Sequence, residues 1–101
     1  MIGLTTVRII GPSMEPVMRN QEVYLAVTRV RVRVGDVVLL RHPDRHELVT
    51  AKRVVRRVEG GWWVEGDNLP ASTDSRQFGP IGDDLILGRI AFRLRPLRRR
   101  R

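Results

Sequence analysis

Ser13 lies in the stretch RIIGPSMEPV (residues 8–17), where Gly11-Pro12 breaks an apolar run and leaves a serine with no histidine or carboxylate arranged around it. A serine hydroxyl becomes a nucleophile only when a neighbouring group takes its proton. The 101-residue chain holds 19 basic residues, and all of them except Lys52 are arginine. Guanidinium keeps its proton at any working pH, whereas an ammonium withdrawn from water can lose it near neutrality and act as a base. Ser13 and Lys52 therefore match in kind the serine–lysine variant of nucleophilic catalysis. A turn serine after Gly-Pro is the plainer reading of Ser13 alone, and spacing does not decide between the two. Two other chemistries have weaker support. His42 and His46 fall in RHPDRHE, a Pro-Asp turn in which histidines serve as polar loop residues. Asp67, Asp74, Asp83 and Asp84 sit among Gly, Asn and Ser, where aspartate organises turns through its side-chain hydrogen bonds.

Short β-type runs must position these groups, because helical periodicity is nearly absent. The runs are Thr5 to Ile10, Glu22 to Val27, Val37 to Arg41, Glu47 to Glu59, Trp62 to Glu65 and Leu85 to Leu94, separated by Gly, Pro, Asp and Asn turns. This predicts a compact all-β barrel or sandwich with little helix. Gly60-Gly61 reads as a hairpin turn. Simple alternation puts Lys52 on the side of Leu48, Thr50, Val54 and Val58, where burial would lower its pKa, and puts Arg56 on that side too. The last strand alternates Ile86, Ile90, Phe92 and Leu94 against Arg89, Arg93 and Arg95. Residues 1–96 form one domain in this reading, and 97–101 a basic disordered tail.

The composition narrows the chemistry. No cysteine is present, which removes disulfides and thiolate metal sites, and two histidines offer little to a metal; no metal and no cofactor are expected. The net charge of +8 invites an anionic partner such as nucleic acid or a lipid surface. RVRVRV nevertheless reads as a solvated face of Arg29, Arg31 and Arg33 backed by Val30, Val32 and Val34, and aromatic residues, at 5%, do not interleave with arginine as base-stacking platforms would. No specific nucleic-acid partner is expected. No apolar run approaches the roughly 20 residues that span a bilayer, so no transmembrane segment is expected; the chain reads as cytoplasmic, with peripheral membrane association left open.

Four boxes then carry a resemblance: GPSMEP (11–16), VRVGDVVLLRHP (32–43), KRVV (52–55) and GDNLPASTDSRQFGPI (66–81). In this order and spacing they resemble the conserved boxes of type I signal peptidases, and the fold implied is the signal-peptidase/LexA-like β-barrel. The resemblance implies that Ser13 is the nucleophile and Lys52 its general base, with Ser72 orienting the lysine amine. It also implies Asp74 and Arg76 as a supporting ion pair, Gly66, Asp67 and Asn68 as a structural turn beside the site, and Met14 packed beneath the nucleophile. Gly11, Pro12 and Ser13 would form the oxyanion turn, with glycine at position 11 where some relatives place a helping serine. The membrane anchor usual in the family is not expected here, and a short hairpin replaces the large inserted β-domain. Within the family, RHP, EGGWWVEGDN and LILGRIAFRLRP most resemble nickel-type superoxide dismutase maturation proteases. The implied function is an endopeptidase removing an N-terminal leader from a protein substrate, the nickel superoxide dismutase precursor, with nickel belonging to the substrate. The alternatives are a self-cleaving repressor-type peptidase domain and a non-enzymatic basic β-module for nucleic acid or anionic surfaces.

Overall fold

The computed structural model describes residues 3–95; the tail assigned to 97–101 lies outside them. Six strands form one antiparallel sheet: β1 (Gly3–Arg8), β2 (Val23–Thr28), β3 (Val37–Arg41), β4 (Val49–Val58), β5 (Gly61–Glu65) and β6 (Ile86–Arg95). Their order is β1-β2-β6-β3-β4-β5, so β1 and β5 are the outermost strands. Yet the loop after β1 hydrogen-bonds the turn after β5, Asn68 N donating to Ser13 O at 2.8 Å. The sheet therefore curls until its two ends meet, and the architecture is a partly closed barrel, not a two-sheet sandwich. Among the described residues, helix is limited to one turn, α1 (Ser75–Phe78), and two 3-10 turns at Leu69–Ala71 and Asp83–Leu85.

β3 reads VVLL because both of its faces are covered. Leu39 and Ala51 join Ile9, Met14, Met18, Tyr24 and Ala26 in one apolar cluster. Val38, Leu40 and Val54 join Val64 and Ile81 in another. A continuous apolar run is what a strand buried on two sides requires. The β4–β5 hairpin closes where the sequence places it, with Val58 opposite Gly61. Gly61 is needed for space as well as for its φ of +141°, since a Cβ there would collide with the Ile81 carbonyl.

Bulges correct the simple alternation. In β4, Val54 pairs with Val64 and Arg56 with Trp63, so Val55 is an extra residue. Val64 and Trp63 face opposite sides of β5, and Arg56 is thereby turned away from the face of Val54 and Lys52. Its guanidinium lies over the Trp63 ring instead, 4.8 Å from the centroid. In β6, Ile90 pairs with Ala26 but Phe92 with Leu25, which puts the two on opposite faces rather than the shared face expected. Ile90 packs on the core while Phe92 is exposed. The same reset turns Arg93 inward beside Tyr24. The RVRVRV segment forms no strand, bending at Arg29 and turning at Val34; Arg29, Arg31 and Arg33 are exposed, and so is Val34.

Arg93 meets a buried carboxylate. Glu22 accepts from the Arg19 N–H at 2.7 Å, from Tyr24 Oη at 3.0 Å and from Arg93 Nη1 at 2.7 Å. Burial works against ionisation of Glu22, but these donors and the guanidinium charge outweigh it and hold the pKa below the usual carboxylate value. The Tyr24 hydroxyl, buried against that carboxylate, is pushed up to about 12. This knot ties the end of the Ser13 loop to β2 and β6. Glu22→Ala would remove the acceptor shared by three donors, of which only Tyr24 Oη has another partner among the described residues, the Val17 carbonyl at 3.4 Å, and should cost about 2–3 kcal/mol in urea unfolding, with Glu22→Gln costing less.

Candidate active site

The loop carrying Ser13 is closed at its base by two backbone bonds, Ile9 N to Glu22 O at 2.8 Å and Gln21 N to Ile9 O at 2.7 Å. Gly11 turns the chain with φ +89°, and its N–H is taken by Asn20 Oδ1 at 2.9 Å. Met14, at 1% exposure, anchors the loop from below and accepts the Asp67 N–H on its sulfur at 3.4 Å. The turn at residues 66–68 grips from the other side: Asn68 Nδ2 donates to Pro12 O at 3.0 Å, beside its backbone bond to Ser13 O. Asp67 is fixed in turn by a bidentate Arg53 guanidinium at 2.9 and 2.7 Å. Among the described residues, the Ser13 N–H donates no hydrogen bond, which leaves it free for an oxyanion. The Gly11 N–H is already committed to Asn20.

Lys52 comes from the middle of β4, opposite Val38, and is 3% exposed. Its Nζ makes no hydrogen bond or ion pair among the described residues. Burial lowers its pKa below the ordinary lysine value; the Asp74 carboxylate pulls the other way, and the Arg76 guanidinium assists the lowering.

Asp74 organises what surrounds the lysine. It is fully buried, and one carboxylate oxygen accepts from Gly66 N at 2.9 Å and Ser72 Oγ at 2.8 Å. The other oxygen takes Arg76 N at 3.1 Å and Nε at 2.9 Å. Burial resists the charge, but the Arg76, Gly66 and Ser72 donors hold the pKa down at about 2. Asp74 also caps α1, reciprocally with Gln77. Because the Ser72 hydroxyl donates to Asp74, its oxygen keeps lone pairs for another donor. A Cβ on Gly66 would press on Ser72 and stand 2.6 Å from Ser13 O, so only glycine lets the two serine segments approach this closely.

Ser13 and Lys52 line one cleft of about 370 Å³, together with Thr50, Ala71, His42 and Phe78. A second hollow of about 240 Å³ lies on the other side of Ser13, walled by Ile9, Met14, Leu39 and Ala51. The structure thus brings Ser13, Lys52, Ser72, Asp74, Arg76 and the turn at 66–68 into one place. His46 and Asp84 do not line this cleft, and Asp83 is engaged elsewhere by Trp62 Nε1 at 2.8 Å. His42 organises its turn as expected, its Nδ1 accepting from Asp44 N and Arg45 N at 3.0 and 3.2 Å. Its place on the cleft wall, edge-on to Phe78, was not anticipated. Arg53 was also missed, although it directly follows Lys52 and alternation predicts that it faces the other way. Among the described residues, no group of three or more His, Cys, Asp or Glu could hold a metal ion.

The family described as "Signal peptidase, peptidase S26" matches residues 57–95. Across most of the chain, similarity extends to mitochondrial inner membrane protease subunit 1 of Xenopus tropicalis (37% identical, covering 86% of this chain and 66% of the relative). The human subunit 1 is 36% identical over 86% and 67%, and subunit 1a of the Arabidopsis thaliana mitochondrial ATP-independent inner membrane protease 32% over 92% and 71%. The chain spans about two thirds of the length of the curated relatives it matches. These relatives are inner membrane protease subunits, not superoxide dismutase maturation proteases. Their names also overturn the cytoplasmic location expected from the sequence, pointing instead to the mitochondrial inner membrane. No helix among the described residues is long and apolar enough to cross a membrane, but that bears on spanning and not on residence at a membrane surface. With similarity to these relatives extending over most of its length, the chain belongs to the S26 signal peptidase family.

Proposed function

We propose that this chain is the catalytic domain of a serine endopeptidase that removes an N-terminal leader from a precursor protein. The observation that carries the reading is the burial of the only lysine, unpaired, on the cleft that Ser13 lines. Neutral Lys52 takes the Ser13 Oγ proton as the oxygen attacks the scissile carbonyl, and the Ser13 N–H receives the developing oxyanion. The ammonium so formed returns its proton to the departing amine, leaving an acyl-enzyme. Lys52 then deprotonates the water that hydrolyses the acyl-enzyme. Ser72, its hydroxyl hydrogen spent on Asp74, offers its oxygen to a Lys52 N–H and aims the amine. The apolar hollow beyond Ser13 receives a small side chain of an extended substrate.

By likeness to relatives named as subunits of an inner membrane protease, the chain works at a membrane face on protein substrates and alongside a partner subunit. The precursor of a nickel-type superoxide dismutase remains the specific substrate put forward, on the sequence boxes alone. Incubating candidate precursors with the protein and reading their new N-termini by mass spectrometry tests the reaction and its substrate separately.

Ser13→Ala and Lys52→Arg should each fold normally and lose at least about a thousandfold in kcat/KM. Cleavage at an unchanged rate by Lys52→Arg would eliminate the proposed base, since arginine cannot accept the proton. The base form of Lys52 exists above its pKa, so kcat/KM should rise with pH along a limb lying below the ordinary lysine range. Arg76→Gln leaves the Asp74 charge without its neutralising partner, favours the Lys52 ammonium, and should move that limb to higher pH.

A further inference from the structure

The hollow that Ser13 lines is not the only one among the described residues. A space of about 540 Å³ opens between the segment after β2 and the tip of the β4–β5 hairpin, lined by Arg29, Arg31, Val32, Arg57, Trp62 and Asp83 among others. Arg57 lies further along β4 than Lys52, roughly 15 Å away at about 3.3 Å per residue. No catalytic group proposed above faces this space.

Its chemistry is one-sided. Three guanidiniums border it against a single carboxylate, and that carboxylate is occupied by the Trp62 N–H. Among the described residues, Arg29 and Arg31 make neither a hydrogen bond nor an ion pair. The Arg57 guanidinium lies over the Trp62 ring, 4.6 Å from its centroid, and makes no hydrogen bond or ion pair among the described residues. Arg29 holds φ +60°, a conformation a non-glycine residue adopts at an energetic cost, at the point where the chain enters the pocket rim. Unpaired guanidiniums gathered around a hollow repel one another unless an anion sits among them, and their fork geometry suits phosphate oxygens.

We propose that this pocket binds the phosphate headgroup of an anionic phospholipid and docks this end of the barrel on a membrane surface. The proposal rests on the membrane setting adopted above. Arginine stems beside an indole are the side chains that settle at a bilayer interface, with cations among the headgroup phosphates and the ring at their level. The Trp62 face is already covered by Arg57, which disfavours the pocket as a stacking site for a free nucleotide.

The test uses the whole chain with Trp63→Phe, so that Trp62 is the only tryptophan, and phosphatidylcholine vesicles with or without phosphatidylglycerol. Sedimentation and a blue shift of Trp62 emission should appear together on the anionic vesicles only, and weaken with added salt. Combined Arg29→Gln, Arg31→Gln and Arg57→Gln should lower vesicle affinity about a hundredfold, at roughly one kcal/mol per basic residue. Arg31→Glu alone, at an exposed position, should weaken it in the same direction should the triple variant fold poorly. Glutamine at Arg98, Arg99, Arg100 and Arg101 should leave the Trp62 shift in place. Loss of the shift in that tail variant, or its persistence in the triple variant, overturns the proposal. So does an equal shift with inorganic phosphate or a poly-glutamate peptide, which would make the pocket a general anion site. Cleavage of a soluble peptide by the triple variant should equal that of the parent. Because the vesicle measurement needs no turnover, it stands or fails apart from the peptidase reading.

Discussion

A carboxylate with no access to water sets the terms for this structure. Asp74 can remain ionised in the interior only because a backbone N–H, a hydroxyl and a guanidinium converge on it, and each donor is thereby fixed in place. Gly66 is drawn in with the turn that clamps the Ser13 loop. Ser72 is held with its lone pairs free, and Arg76 is brought close enough to cancel much of the carboxylate's field. That cancellation bears on the base role proposed for Lys52, since a bare carboxylate beside it would stabilise the ammonium. Asp74 therefore serves as scaffold and as electrostatic hazard, and Arg76 lets it be the first without becoming the second.

The strands were legible to within a few residues because their β-branched and aromatic runs are mostly bounded by Gly, Pro or Asp turns, and because β3, apolar on consecutive positions, could only be buried on both sides. The oddity of a single lysine among arginines singled out Lys52 as the candidate base proposed above, through chemistry that needs no structure. What the sequence concealed was every relation set by a bulge. Val55 and Ala91 look like ordinary strand residues, yet each reverses the faces that follow, turning Arg56 out to Trp63, Phe92 out to solvent and Arg93 in to Glu22. The bidentate pairing of Arg53 with Asp67 was hidden for another reason: its partners are far apart in sequence, and each alone looks like a strand cation or a turn aspartate.

Location was misread because an absent apolar span was taken as evidence of a cytoplasmic protein. Hydropathy reports whether a segment can cross a bilayer, while a barrel that rests on a membrane needs no such segment and leaves its trace in side-chain placement. The arginine and tryptophan residues at the hairpin end are distributed through three segments, the stretch after β2, β4 and β5. Their convergence becomes visible only when the chain is folded.

The meeting of the sheet's two ends also governs when the chemistry can exist. Ser13 follows the first strand, Lys52 sits in the fourth, and the turn that clamps the serine loop follows the fifth, so the constellation spans the seam where the curled sheet closes. Contacts so distant along the chain are the ones that form late, after loop closure has been completed across most of the polypeptide. An incompletely folded chain has a serine and a lysine but no cleft to hold them, so the proposed site exists only in the folded barrel. Closure of the sheet is therefore the step that assembles the proposed site.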